Sequence, residues 1–141
     1  MRVCVIDGRG GGLGSRLVAG LQSELGQTHH IVALGTNTVA AAAMKQAGAM
    51  QVGVGARAMA DTLPTVDVIV TSLNLVLPGA MLGEVTPEIV DAILGARATK
   101  VLLPINRARV EIVGARASTL EALITQSRSR VRSLVSSVQP A

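Results

Sequence analysis

The sequence predicts a three-layer α/β fold built on a mostly parallel, doubly wound sheet. Three observations lead there. Short runs rich in β-branched residues alternate with amphipathic stretches along most of the 141 residues. The hydrophobic fraction is 49% with 15 glycines, which suits strands covered on both faces. The first run turns directly into a glycine cluster that opens a helix pattern.

The first strand is Val3 to Ile6, closed by Asp7 and Gly8. Arg9, Gly10, Gly11, Gly12, Leu13 and Gly14 follow, so five glycines fall within seven residues. Leu13, Leu17, Val18, Leu21 and Leu25 then share one helical face. A helix start leaves backbone N–H groups unpaired and carries partial positive charge, so it can hold a phosphate. Glycines let the chain turn sharply and approach the anion closely. Asp7 is repulsive to that anion unless it bonds the amides of its own loop, and this turn-setting role is its expected one. Arg9 can neutralise phosphate charge.

Ile31 to Leu34 is the second strand, entered from His29 and His30, which lie at the end remote from ligands. Gly35, Thr36 and Asn37 follow, and Thr36, Asn37 or Thr38 caps a helix to about Ala47, with Gly48 closing it. A nicotinamide-dinucleotide enzyme normally carries an acid here for the ribose hydroxyls. Thr36 and Asn37 can bond a hydroxyl or a phosphate ester instead, or simply cap the helix. Gln51 to Val54 is a third strand, Ala56 to Leu63 a short helix stopped by Pro64, and Val66 to Val70 a fourth strand with Thr71 and Ser72 at its carboxyl end. Leu73 to Val85 is a long apolar loop. Thr86, Pro87 and Glu88 start a helix that ends at Gly95.

Lys100 to Ile105 is a fifth strand and Val110 to Val113 a sixth. Only Asn106 to Arg109 separate them, too few for a parallel crossover, so strand six is expected as an antiparallel edge. Arg107, Arg109 and Asn106 then sit at a hairpin tip near the mouth of the crevice. Ser118 and Glu121 form a capping box for the last helix, whose apolar face is Leu120, Leu123, Ile124, Val131, Leu134 and Val135. Arg128, Arg130 and Arg132 spread around it, and residues 136–141 are expected to fray. Residues 1–141 thus form one domain, with sheet order 3-2-1-4-5 and strand six at the edge. The order reverses between strands one and four, and a ligand is expected beyond their carboxyl ends.

The spacing Gly8, Gly12, Gly14 fits G-x-x-x-G-x-G and resembles the cofactor loop of short-chain dehydrogenases and reductases. The likeness stops at the loop, because the chain has no tyrosine for the Tyr–Lys pair of those enzymes. Val5-Ile6-Asp7-Gly8, Ala33-Leu34-Gly35-Thr36-Asn37, Met81-Leu82-Gly83-Glu84 and Leu102-Leu103-Pro104-Ile105-Asn106-Arg107 resemble a family of short, uncharacterised bacterial Rossmann-like proteins. That resemblance implies the Rossmann-like fold and brings no activity.

The candidate ligand-binding residues are Gly8, Arg9, Gly10, Gly11, Gly12, Leu13, Gly14, Thr36, Asn37, Thr71, Ser72 and Asn74. No catalytic set and no metal site is expected: Asp7, Asn74, Glu84, Asn106 and Arg107 match no known constellation, and the histidines lie away from the crevice. With no Phe, Tyr or Trp, a base has no aromatic ring to stack on, and the apolar loop after strand four is expected to cover the ligand instead. Cys4 reads as a buried, inert thiol, and the single cysteine excludes an internal disulfide. Neither a membrane span nor a signal peptide is expected, and the location expected is the cytoplasm.

From Arg97 onward eight basic residues face two acids, Glu111 and Glu121; before it, five face seven. The asymmetry raises a polyanion as a partner, although a solvated basic face explains it as well, and nucleic acid is the less favoured partner. The leading expectation is a small nucleotide- or dinucleotide-binding protein or subunit, taking NAD(P) or another nucleotide and not catalytic alone. It is expected to form a homo-oligomer and to serve a protein partner. Two alternatives stay open. One is an NAD(P)-dependent enzyme completed by another subunit. The other is a structural or nucleic-acid-contacting protein with an empty crevice.

Overall fold

The computed structural model describes residues 1–105 and 109–137. Five strands, β1 (Arg2–Asp7), β2 (His30–Gly35), β3 (Gln51–Val54), β4 (Val68–Ser72) and β5 (Thr99–Leu103), form one all-parallel sheet in the order β3-β2-β1-β4-β5. The expected order holds. The central strand alternates its side chains between two cores. Val3 and Val5 join one, Cys4 and Ile6 the other, and all four are fully or almost fully buried.

The helices sort onto those faces as right-handed crossovers require. α1 (Gly12–Leu25) and α2 (Thr38–Gln46) supply Leu17, Val18, Leu21 and Met44 to the first core. α3 (Gly55–Thr62) and α4 (Pro87–Gly95) supply Met59, Ile89, Val90 and Ile93 to the second. α5 (Leu120–Ser137) returns to the first face with Ile124, Val131 and Val135. Burying each such aliphatic side chain contributes about 1.5–3 kcal/mol, so the core stands without aromatic residues.

Local signals explain the element ends. Asn37 caps α2 by accepting from the Ala40 N–H at 2.8 Å. Gly48, at φ 116°, closes the same helix. Thr86 caps α4 by accepting from the Ile89 N–H at 3.3 Å, with Pro87 at the first helical position. A single turn of 3₁₀ helix at Leu63–Thr65 carries Pro64 and ends α3.

Three expectations are corrected. The sixth strand does not form. The Ile105 N–H turns back onto the Leu103 carbonyl at 2.9 Å, and Arg109 and Gly114 stand at φ 62° and 94°. A turn closed by the Ala115 N–H on the Ile112 carbonyl then breaks residues 110–113, and Val113 is fully exposed. Strand four lies two residues later than its hydrophobic run suggests. The Asp67 N–H and carbonyl are taken up by Arg2 and Thr99, and the sheet continues through Thr71 and Ser72. The last helix is capped by Thr119, which accepts from the Ala122 N–H at 3.1 Å. Ser118 donates instead to the Arg116 carbonyl, and Glu121 pairs with Arg16 on α1.

Arg128 and Arg132, four apart on α5, both reach Glu24 on α1. Part of the basic C-terminal third is therefore neutralised within the fold. No helix among the described residues is long and apolar enough to cross a membrane. Of residues 136–141, expected to fray, Ser136 and Ser137 are instead the last residues of α5, and residues 138–141 lie outside the described residues.

Candidate functional site

At the carboxyl ends of β1 and β4 a cleft of about 170 Å³ is lined by the whole glycine loop, Asp7 to Leu13, together with Ser72, Asn74, Met81 and Ile105. This is the crevice where the strand order reverses. A hollow of about 470 Å³ lies elsewhere, between β5, α5 and residues 114–118. It is the larger of the two, but it lies at the outer edge strand, away from the glycine loop. The smaller cleft is where backbone donors converge, so the chemistry is sought there.

Asp7 builds the loop. Its carboxylate accepts from the Gly8 N–H at 2.8 Å and the Gly14 N–H at 2.6 Å. The loop then closes through the Gly11 N–H on the Gly8 carbonyl at 3.0 Å, with Gly11 at φ 73°. The helix ladder begins with the Ser15 N–H on the Gly11 carbonyl at 2.8 Å. The N–H groups of Gly12 and Leu13, ahead of that ladder, donate to no group among the described residues. They stand at the exposed rim of the cleft with the positive end of α1 behind them.

Ser72 faces the same cleft from β4. It is 3% exposed, and its buried hydroxyl oxygen has no hydrogen-bond partner among the described residues. A buried hydroxyl left unpaired costs about 1–3 kcal/mol, which a ligand oxygen at this place would recover. Asn74, 7% exposed, lines the cleft beside it on a short 3₁₀ helix, Leu73–Val76.

The long loop after β4 covers the other side. Leu75 and Val85 are fully buried against the sheet, whereas Leu82 is exposed. Glu84 latches the loop to the rest of the site. Its Oε1 accepts from Thr36 Oγ1 at 2.6 Å, from Asn37 Nδ2 at 2.8 Å and from the Arg9 N–H at 3.0 Å. Asn37 Nδ2 also donates to the Arg9 carbonyl at 3.0 Å. Sequence reasoning noted Glu84 only as an uncommitted polar group. The signal available was a single acid in an otherwise apolar stretch, beside a glycine.

The two carboxylates differ in environment. Burial pushes Asp7 above the ordinary carboxylate value; the Gly14 and Gly8 amides oppose this, and the Glu84 charge adds to it. The Thr36 hydroxyl holds Glu84 below its ordinary value, helped by the Arg9 amide. Asp7 therefore favours the fold most when protonated, and that contribution is lost as pH rises through its raised value. Glu84 contributes above its ordinary range and loses the contribution as pH falls through its lowered value. A carbon-detected NMR titration should find each group displaced in these directions, and Asp7 titrating below its ordinary value would contradict the account.

Of the sequence candidates, Gly8, Arg9, Gly10, Gly11, Gly12, Leu13, Ser72 and Asn74 line the cleft. Gly14 acts from behind it, through Asp7. Thr36 and Asn37 lie at the end of β2, engaged by Glu84. Thr71 is turned into the sheet, where its hydroxyl donates to the Ile6 carbonyl at 2.7 Å. Asn106 and Arg107 lie outside the described residues; Arg109 is exposed. His29 contacts the N-terminal amine at the opposite end of the sheet. Burial pushes the Cys4 thiol up to about 12, so it is no nucleophile. Among the described residues no group of three or more metal-ligating side chains is found.

The family model described as "Domain of unknown function (DUF3842)" matches residues 2–136. No curated protein matches the chain. Among solved structures, the chain is similar to a dodecameric FMN-dependent UbiX-like decarboxylase from Escherichia coli O157:H7. The TM-score is 0.47 at 15% identity, over 94% of this chain and 76% of that one.

Proposed function

We propose that this chain, which belongs to the DUF3842 family, binds a nucleotide-type ligand through its phosphate in the cleft between β1 and β4. It acts as a binding protein or subunit rather than as an enzyme by itself. The observation that carries this is the buried Ser72 hydroxyl, which faces the same cleft as the Gly12 and Leu13 amides; none of the three has a hydrogen-bond partner among the described residues. Three donors around one space, at a helix start, suit the oxygens of a phosphoryl group. The cleft is smaller than an ordinary cofactor pocket of about 300–1,000 Å³, so it takes the phosphate end and leaves the rest of the ligand to the rim or to a neighbour.

NAD(P) remains the reference dinucleotide, supported by the short-chain-reductase spacing of Gly8, Gly12 and Gly14. A homo-oligomer fits the same reading. The outer edge of β5 carries no strand among the described residues, and Met50, Val52 and Val54 leave apolar surface on and beside the opposite edge strand, β3.

Calorimetry and native mass spectrometry with ADP and inorganic pyrophosphate test the reading together. The expected result is one ADP per chain, an assembly larger than the monomer, and no turnover of NAD(P) by the protein alone. Ser72→Ala should weaken pyrophosphate about tenfold, the cost of one bond to a charged group. A folded protein that binds neither probe would sink the reading.

A further inference from the structure

Position 35 ends β2, and in doubly wound folds an acid near that place accepts from a ribose hydroxyl. Here the strand ends in Gly35 and is followed by Thr36 and Asn37, none of them acidic. The fold nevertheless brings a carboxylate there. Glu84 arrives from the loop after β4, 48 residues further along the chain, and its Oε1 lies 2.6 Å from Thr36 Oγ1. It also borders the glycine loop. A Cβ on Gly8 would lie 2.7 Å from Thr36 Oγ1 and 3.2 Å from Glu84 Oε1.

The three donors from Thr36, Asn37 and Arg9 all converge on Oε1. Among the described residues none is recorded on Oε2. An ionised carboxylate accepts at both oxygens, so one remains for a ligand hydroxyl. Latching the loop alone would not require a charge, since an amide oxygen could accept the same three bonds.

We propose that Glu84 supplies from the opposite loop the ribose-binding acid that the end of β2 lacks, so that the ligand is a ribonucleotide with free 2′ and 3′ hydroxyls. A 2′-phosphate at this place meets the Glu84 charge and is rejected. The inference rests on the phosphate site described above and adds the sugar to it. It makes NAD rather than NADP the fitting dinucleotide.

The test is a calorimetric series on the full chain with ADP, 2′-deoxy-ADP, 3′-deoxy-ADP, adenosine 2′,5′-bisphosphate and inorganic pyrophosphate. ADP should bind at least about tenfold more tightly than one of the deoxy analogues, and the 2′-phosphate should bind more weakly still. Glu84→Gln keeps an oxygen for the three protein donors. It should bring the ADP to deoxy-ADP ratio to within about twofold of unity without weakening pyrophosphate, since it removes a negative charge beside the phosphate loop. A purely latching role would not move that ratio. The parent series needs no variant, so a poorly folding Glu84→Gln leaves the inference testable. Equal binding of ADP and both deoxy analogues by the parent overturns it, while pyrophosphate binding would leave the phosphate site standing. A preference retained in Glu84→Gln, or tighter ADP binding by Glu84→Ala, also overturns it. A parent that binds neither ADP nor pyrophosphate overturns both readings.

Discussion

Gly12→Val should abolish ADP and pyrophosphate binding in a protein that melts where the parent does. Gly12 is the first residue of α1, and its N–H is one of the two free amides at the cleft rim. A Cβ built there meets no protein atom within 4 Å, and the backbone is not in the left-handed region. The fold therefore accepts valine, which also has better helix propensity than glycine. A ligand does not accept it, because the branched side chain stands where a phosphate oxygen would approach the amides. Losing two bonds to a charged group, at about 1.5–3 kcal/mol each, weakens binding by at least about a hundredfold. Calorimetry beside a thermal melt measures both halves. Unchanged affinity would mean that phosphate does not sit on α1, whatever else the cleft holds.

The loop that makes this test clean was legible in the sequence, as was the sheet. Alternation at Val3, Cys4, Val5 and Ile6 feeds two cores, and each helix carries apolar residues at helical spacing for one face only. Those patterns are local, and strand–helix alternation with right-handed crossovers leaves few orders open. The glycine loop and Asp7 are likewise within reach of one another along the chain, so the turn-setting role of Asp7 could be derived from its own loop.

What the sequence did not carry is what depends on distant partners. Glu84 gains its meaning from Thr36, Asn37 and Arg9, which lie 47 to 75 residues away. The hydroxyl of Ser72 is defined by an absence of hydrogen-bond partners among the described residues, which only packing decides. Thr71, beside it, satisfies itself on the Ile6 carbonyl, and the alternation of a strand does not say which of the two faces the crevice. Strand six failed for a related reason. Val110 and Ile112 have β-propensity and the outer edge of β5 carries no strand among the described residues, but the backbone turns at Ile105, Arg109 and Gly114 take the segment elsewhere.

Gly35→Asp, which restores an acid to the end of β2, should damage the protein rather than improve it. A Cβ at this position would lie 2.7 Å from the Asn37 carbonyl oxygen and 2.8 Å from the Ala41 nitrogen. Those are the two ends of the hydrogen bond that opens α2, Ala41 N–H to Asn37 C=O at 3.2 Å. Both atoms are backbone, so neither can swing aside as a side-chain tip could, and the helix must move off the sheet. Gly35 is buried, so aspartate also brings a charge out of water with no designed partner. Overpacking costs about 1–3 kcal/mol, and the buried carboxylate adds several more. Against a total stability of about 5–15 kcal/mol, the variant should unfold at much lower urea or fail to fold. Gly35→Ala separates the two costs, because it keeps the steric one and removes the charge. The same crowding keeps an acid out of position 35. If Gly35→Asp were as stable as the parent and bound ADP more tightly, β2 would have had room for its own acid. Glu84 would then lose its reason to stand in for one.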